Sequence, residues 1–176
     1  ADCYLAGVST RRMDKLVKTL GIDSLSKSQV SRMAEELDVI VEEFRNRPLD
    51  EAGPFTFVTA DALTMKVREG GRVINAVVLL ATGVNNDGQR EVLGMRLATA
   101  ETGAAWNEFF ADLVARGLTG VRLVTSDAHP GLVEAVAANL PGASWQRCRT
   151  HYAFNLMGVT PKGMWPAVKA MLHSVY

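Results

Sequence analysis

The chain has 176 residues, of which 48% are apolar, so it can bury the core of one medium-sized domain, with or without a small appendage. It carries 19 basic and 19 acidic residues, and this zero net charge argues against nucleic-acid binding across the whole surface. Two cysteines are too few for a disulfide framework, and no apolar run reaches membrane-spanning length. A cytoplasmic protein without a membrane partner is therefore expected.

Charge is unevenly distributed over the first 47 residues. Basic side chains predominate in residues 1–34, whereas residues 35–44 contain acidic side chains and no basic one. Apolar residues at helical spacing predict one helix over residues 10–20 and a second helix that Ser26 caps. The apolar stripe predicted for the second helix consists of Val30, Met33, Ala34 and Leu37. The short turn between the two helices predicts a helix-turn-helix-like pair. Any contact with DNA is expected to be confined to this N-terminal pair.

The second helix is the candidate recognition helix, because its short polar residues and its Gln/Arg pair suit contacts to phosphates and base edges. An ordinary solvated helix is the alternative interpretation. The candidate DNA-binding residues are Arg11, Arg12, Lys27, Ser28, Gln29 and Arg32. Turn-forming residues at 48–54 predict that this helical DNA-binding segment covers residues 1–47.

From residue 55 onward, apolar runs between turn signals predict strands, and helical patterns alternate with strands later in the chain. The predicted elements are strands 55–60, 73–81 and 92–97, helix 104–116, strand 121–126, helix 131–139 and strand 145–150. The apolar face predicted for helix 104–116 consists of Trp106, Phe109, Phe110, Leu113 and Val114. Three antiparallel strands followed by alternating helices and strands is the order of a ribonuclease-H-like mixed sheet, although other α+β folds share it. The second predicted domain, residues 48–176, is therefore an α/β core of this type.

Two aspartates follow strand-like apolar runs in matching contexts. Asp61 ends the run 55–60, and Asp127 ends the run 121–126. These strands are neighbours in the predicted sheet, and two carboxylates held together repel unless a cation lies between them. The sequence thus predicts a Mg²⁺ or Mn²⁺ site for phosphate chemistry at this pair. The simpler alternative is that each Asp caps the helix that follows its strand.

Four further side chains are possible site residues because of their chemistry, and each has a simpler structural interpretation. Glu101 precedes the helix that contains Trp106. We interpret it as a first-turn carboxylate stabilised by the helix dipole rather than as a catalytic acid. Cys148 and His151 have metal-like spacing, but a tetrahedral zinc site needs four ligands, so a buried Cys and a hydrogen-bonded His are preferred. His129 follows Asp127 by two residues, where local capping or packing is the common role for such a side chain.

A series of short motifs runs along almost the whole chain. They are residues 7–12 (GVSTRR), 26–32 (SKSQVSR), 61–62 (DA), 66–68 (KVR), 83–84 (GV), 90–94 (REVLG), 116–118 (RGL), 126–129 (SDAH) and 145–151 (WQRCRTH), with Glu101 and Trp106. In these motifs the chain resembles the Mutator-type transposases of bacterial insertion sequences. Their number and order argue against a chance match.

That resemblance implies a DNA transposase whose ribonuclease-H-like core holds divalent metal with Asp, Asp and Glu. Asp61 and Asp127 match the two aspartates, whereas the family's Glu lies beyond the Cys-x-x-His segment, after a helical insertion, and has no counterpart in this chain. The chain is therefore expected to be a C-terminally truncated fragment that is inactive alone. Implied partners are double-stranded DNA, as element ends and target, and further copies of the full-length protein, in the cytoplasm at the nucleoid.

Two alternatives to a transposase fragment with an incomplete site remain open. One is a non-catalytic DNA-binding fragment that occupies element ends without cutting them, which the absent Glu favours. The other is a host nuclease of ribonuclease-H type, which does not need the N-terminal helix pair. A coding sequence that continues past Tyr176 with a helical insertion and an acidic residue would favour the transposase.

Overall fold

The computed structural model describes residues 26–69 and 71–175. The chain divides into two compact units, residues 1–47 and 48–176. The helix predicted over residues 10–20, with Arg11 and Arg12, lies outside the described residues, and the helix-turn-helix arrangement stays a prediction.

Helix α1 of the first unit covers Lys27–Asn46. The Ser26 side chain accepts a hydrogen bond from the Gln29 backbone N–H at 3.2 Å, and the Gln29 side chain accepts one from the Ser26 backbone N–H at 2.8 Å. This capping box satisfies two backbone donors that a helix start leaves free, so the predicted cap is confirmed. Of the predicted apolar stripe, Val30 is buried, whereas Met33 is 52% exposed.

The second unit contains one mixed sheet with helices packed on it. Its elements are β1 Phe55–Glu69, β2 Arg72–Asn85, β3 Arg90–Ala98, α2 Gly103–Ala115, β4 Leu123–Ser126, α3 Pro130–Asn139, β5 Ser144–Arg147, α4 Arg149–Val159 and α5 Trp165–Val175. The strand order is β3-β2-β1-β4-β5. The pairs β1–β2 and β2–β3 are antiparallel, and β1–β4 and β4–β5 are parallel. The predicted α/β architecture is therefore confirmed.

The core lies between one face of this sheet and helices α2 and α3. Along β1, Val58 and Ala60 are buried in it, and the alternating residues Phe57 and Asp61 lie on the opposite, open face. The predicted apolar face of α2 is confirmed for four residues that are all buried: Trp106, Phe109, Phe110 and Leu113. Val114 is 40% exposed, so its assignment to that face is wrong, because it is rotated by about 100° from Leu113.

Strand β1 is longer than predicted. Its pairing with β2 continues to Glu69 opposite Arg72, although the sequence predicts that the strand ends at residue 60. This extension lengthens a hairpin whose turn includes Gly71 at a φ of +78°, where glycine is favoured. Apolar and polar side chains alternate along residues 63–68, which is the pattern of a strand, so the predicted bounds ended the strand too early.

Over the described ranges, no helix is long and apolar enough to cross a membrane.

Candidate active site

Asp61 lies on β1, and Asp127 directly follows β4, the parallel strand next to β1. The β1–β4 register pairs Phe57 with Leu123 and Thr59 with Thr125. Continuing this register by two residues on each strand places Asp61 opposite Asp127, just past the end of β4. The two predicted acids are therefore aligned across the β1–β4 pair at the point where β4 ends.

Asp61 does not close a strand, so that prediction is wrong. It lies in the middle of β1, opposite Leu80 of β2, because the β1–β2 hairpin continues beyond the end of β4. The Asp61 side chain is 63% exposed, and its Oδ1 accepts a hydrogen bond from the Ala62 backbone N–H at 2.9 Å. Because Asp61 is followed by strand rather than helix, helix capping does not explain this carboxylate.

Asp127 lies in the short connection between β4 and α3. Its Oδ1 accepts a hydrogen bond from the His129 backbone N–H at 3.2 Å. The N-cap of α3 is His129, whose Nδ1 accepts a hydrogen bond from the Leu132 backbone N–H at 3.3 Å. The local capping role predicted for His129 is thus confirmed, and Asp127 is not the cap residue.

The segment around Asp127 is held by the buried Ser126. Its hydroxyl accepts a hydrogen bond from Trp145 Nε1 at 2.9 Å and donates one to the Asp127 carbonyl oxygen at 2.7 Å. The Cys148 backbone N–H donates to the Ser126 carbonyl oxygen. These contacts tie the end of β4 to β5 and to the start of α4, so Asp127 is carried on a well-supported backbone.

Glu101 has a structural partner of its own. Its Oε1 accepts a hydrogen bond from Nε1 of the fully buried Trp106 at 3.1 Å. Thr102 is the N-cap of α2, and the first turn of that helix contains no acid, so the first-turn interpretation of Glu101 is wrong. A buried indole N–H needs a hydrogen-bond acceptor, and the spacing of residues in the sequence did not show that Glu101 supplies it.

We expect Glu101→Ala to lower the free energy of unfolding by about 1–3 kcal/mol, because it leaves a buried N–H without a partner. Glu101→Gln retains an acceptor oxygen and is expected to lose less than half as much. Urea unfolding of the two variants measures the difference. Equal losses in both variants would contradict the assigned hydrogen bond.

Cys148 and His151 form an interacting pair at the start of α4, where Cys148 is the half-buried N-cap residue. Burial raises the pKa of the thiol, but hydrogen bonds from the backbone N–H and ring of His151 and from the backbone of Thr150 outweigh it, so the pKa is lowered. The hydrogen bond with Cys148 raises the pKa of His151, Asp61 and Asp127 act in the same direction, and burial opposes them. His151 Nε2 is 3.8 Å from Asp61 Oδ1.

In a Cys3→Ser background, the pH midpoint for alkylation of Cys148 is expected to lie below about 8.5, the ordinary thiol value. His151→Ala should raise this midpoint, whereas His173→Ala on α5 should leave it unchanged. The lowered thiol pKa stabilises the fold above the ordinary value, and this stabilisation is lost as the pH falls through the lowered value. Iodoacetamide rates measured against pH give the midpoints, and no upward shift in His151→Ala would contradict the pairing.

The donor chemistry at the β1–β4 edge fits a hard divalent ion. Asp61 and Asp127 offer carboxylate oxygens, and Mg²⁺ commonly binds through one or two carboxylates while retaining several waters. Among residues 26–69 and 71–175, no three or more His, Cys, Asp or Glu side chains are grouped so that they could hold a metal ion. The described part of the chain therefore supplies a pair of acids rather than a complete ligand set.

The sequence profile described as "Transposase, Mutator family" matches residues 1–176. The chain belongs to this family. It is 66% identical over 176 residues to the transposase for insertion sequence element IS1081 of Mycobacterium tuberculosis, covering 100% of this chain and 42% of that protein. It is 41% identical over 161 residues to the transposase for insertion sequence element IS256 in transposon Tn4001 of Staphylococcus aureus, covering 92% of this chain and 41% of that protein. The Mutator-family chain thus spans less than half the length of these relatives.

Among solved structures, a chain of the Drosophila P element transposase strand transfer complex is similar at a TM-score of 0.40 and 16% identity. The similarity covers 76% of the Mutator-family chain and 33% of that chain.

The candidate DNA-binding residues of the Mutator-family chain are only partly described. Ser28, Gln29 and Arg32 are exposed in the first turns of α1, which begins at Lys27. The Ser28 hydroxyl is 2.8 Å from that of Ser26, and Gln29 Oε1 belongs to the capping box. Part of the hydrogen-bonding capacity predicted for base contacts is therefore used in capping the helix.

Proposed function

We propose that the chain is part of a DNA transposase that cleaves and joins DNA at the ends of an insertion sequence. The observation that carries this proposal is the alignment of Asp61 on β1 with Asp127, which directly follows the adjacent parallel strand β4, in a chain that belongs to the Mutator family. The relatives are named as transposases for insertion sequences, which supports the same reaction class for this chain.

The fold proposed for residues 48–176 is ribonuclease-H-like. The sheet order β3-β2-β1-β4-β5, antiparallel on one side of β1 and parallel on the other, supports this assignment. Asp61 then lies on the central strand β1 and Asp127 directly follows the neighbouring strand β4, so the sheet holds their backbones in constant relative positions. Residues 1–47 are proposed as the DNA-binding segment.

Asp61 and Asp127 are proposed as ligands of Mg²⁺ or Mn²⁺. When bound, such ions lower the pKa of an attacking water and stabilise charge on the leaving oxygen. Asp61 is exposed on the open face of the sheet, where DNA is proposed to approach. The backbone of Asp127 is held by the hydrogen bond from Ser126. A third acid, a Glu outside this chain, is proposed to complete the site, so the chain alone is expected not to cut DNA.

In the proposed reaction, water hydrolyses a phosphodiester at the element end, and the freed 3′-hydroxyl then attacks target DNA. Double-stranded DNA, as element ends and target, is the proposed partner. Bringing two ends together implies an oligomer of the full-length protein, and the proposed place of action is the nucleoid.

A non-catalytic DNA-binding fragment is the second candidate function. It is favoured by the finding that the described ranges contain a pair of candidate acids but no group of three possible metal ligands. In that case, residues 1–47 would bind element ends and the sheet would serve only as a scaffold.

Paramagnetic broadening by Mn²⁺ tests the metal site in the 176-residue chain itself. We expect backbone amide signals of residues next to Asp61 and Asp127 to broaden first in a titration, because Mn²⁺ broadens nuclei near its ligands. The double variant Asp61→Asn, Asp127→Asn should lose this broadening, whereas Asp87→Asn, in the exposed β2–β3 turn, should retain it. Broadening that is unaffected by the double variant would reject the metal site.

A further inference from the structure

Ser126 is the last residue of β4 and directly precedes Asp127. It is 1% exposed, and among the described residues no other polar or charged residue is buried. A buried hydroxyl needs hydrogen-bond partners inside the protein, because burial without them costs free energy. The Ser126 hydroxyl accepts a hydrogen bond from Trp145 Nε1 at 2.9 Å and donates one to the Asp127 carbonyl oxygen at 2.7 Å. These two bonds form a relay from Trp145 through Ser126 to Asp127.

Trp145 decides the direction of the relay. The β4–β5 register pairs Trp145 with Val124 and thereby places its indole beside the end of β4. An indole N–H can donate a hydrogen bond but cannot accept one. Ser126 Oγ is therefore the acceptor for Trp145, and its single hydrogen is directed to the Asp127 carbonyl oxygen. Hydrogen bonds in such a chain polarise and strengthen one another.

Asp127 is held both by its backbone and by its side chain. The relay holds its carbonyl oxygen, and the His129 backbone N–H donates to its Oδ1 at 3.2 Å. Within the described ranges, the other carboxylate oxygen, Oδ2, accepts no hydrogen bond. The carbonyl belongs to the stretch of backbone that leads to His129, so a rotation of this peptide also moves the N–H that holds Oδ1. Loss of the relay would therefore displace the carboxylate that the strand register places opposite Asp61.

We propose that Trp145 is a positioning residue for the candidate metal site and acts on Asp127 through Ser126. The indole N–H orients the Ser126 hydroxyl, the hydroxyl holds the Asp127 carbonyl oxygen, and the Asp127 carboxylate thereby stays opposite Asp61. Partners that orient a metal ligand in this way commonly contribute about 10- to 100-fold to metal affinity. This inference rests on the proposed function, because the divalent ion at Asp61 and Asp127 is part of that proposal.

Trp165 provides a matched control within the same chain. Like Trp145 it is half-buried, and its Nε1 donates a single hydrogen bond, to the Thr160 carbonyl oxygen at 3.0 Å. Trp145→Phe and Trp165→Phe each remove one indole donor, whereas only the first interrupts the relay to Asp127. A difference between the two variants therefore separates the relay from a general loss of stability.

The first test observes the relay in the metal-free chain. The ¹³C chemical shift of a backbone carbonyl reports whether its oxygen accepts a hydrogen bond. Trp145→Phe and Ser126→Ala should both shift the Asp127 carbonyl signal in the same direction, and Trp165→Phe should leave it unchanged. An Asp127 carbonyl signal that is the same in Trp145→Phe as in the unsubstituted chain would overturn the proposal.

The second test measures Mn²⁺ affinity from the broadening of amide signals next to Asp61 and Asp127. Trp145→Phe and Ser126→Ala should each raise the Mn²⁺ concentration at half-broadening about 10-fold. The double variant should lose no more affinity than the weaker-binding single variant, because both substitutions interrupt one relay. Trp165→Phe should titrate like the unsubstituted chain. Losses that add in the double variant would show two independent effects and overturn the relay.

The outcomes separate this inference from the proposed function. If the chain binds Mn²⁺ at Asp61 and Asp127 while Trp145→Phe and Ser126→Ala keep the parent affinity, the positioning role is wrong and the metal site stands. If Trp165→Phe weakens binding as much as Trp145→Phe, the effect is a general loss of stability and the proposal is overturned. If the double variant Asp61→Asn, Asp127→Asn broadens like the unsubstituted chain, the metal site fails and the positioning role fails with it. If Trp145→Phe does not fold, the affinity of Ser126→Ala decides the outcome.

Discussion

In a chimera with the IS1081 transposase, Asp61→Asn or Asp127→Asn is expected to reduce DNA-end cleavage by about 1,000-fold or more. The substitution keeps the size of the side chain and removes the negative charge that would hold a divalent ion. That charge acts on the transition state, where losses of a single electrostatic contact are large. Single-turnover cleavage of an end-labelled duplex in Mg²⁺ measures the effect against the unsubstituted chimera.

Asp87→Asn is the matched control, because Asp87 is exposed in the turn between β2 and β3. It should cleave at the rate of the unsubstituted chimera. Gel-shift affinity for the uncut DNA end should change little in all three variants, since DNA binding is proposed to reside in residues 1–47. Cleavage by Asp61→Asn at the control rate would show that this carboxylate does not hold the ion.

Gly131→Ala is expected to destabilise the chain by about 1–3 kcal/mol through overpacking between α2 and α3. A Cβ at this position would lie 2.5 Å from the Gly103 Cα and 2.7 Å from the Gly103 backbone N. These are backbone atoms at the start of α2, so no side-chain rotation can relieve the clash. Urea unfolding followed by circular dichroism measures the loss.

Gly158→Ala provides the same substitution without the close contact. Gly158 is a helical residue of α4, and a Cβ there meets no atom within 4 Å. Alanine should therefore stabilise the chain by about 0.5–1 kcal/mol through its lower backbone entropy in the unfolded state. Similar free-energy changes of the same sign in the two variants would contradict the packing of α2 on α3.

Local features of both units were predictable because they depend on residues close together in the chain. The cap at Ser26 and the buried face of α2 are short-range patterns at helical spacing. The capping by His129 also depends on contacts within three residues. By contrast, the pairing of β1 with β2 decides that β1 continues to Glu69, although apolar and polar residues already alternate along 63–68 as they do in a strand.

The candidate site shows the same division. Its acids, Asp61 and Asp127, and the membership of the Mutator family are readable from the sequence, because residue types and motif order are properties of the chain itself. The shared register of the acids, the hydrogen bond from Trp106 to Glu101 and the approach of His151 to Asp61 join residues far apart in the chain or on separate elements. Only tertiary packing decides such distances, because a strand partner or a helix start can place distant residues within a few ångströms of one another.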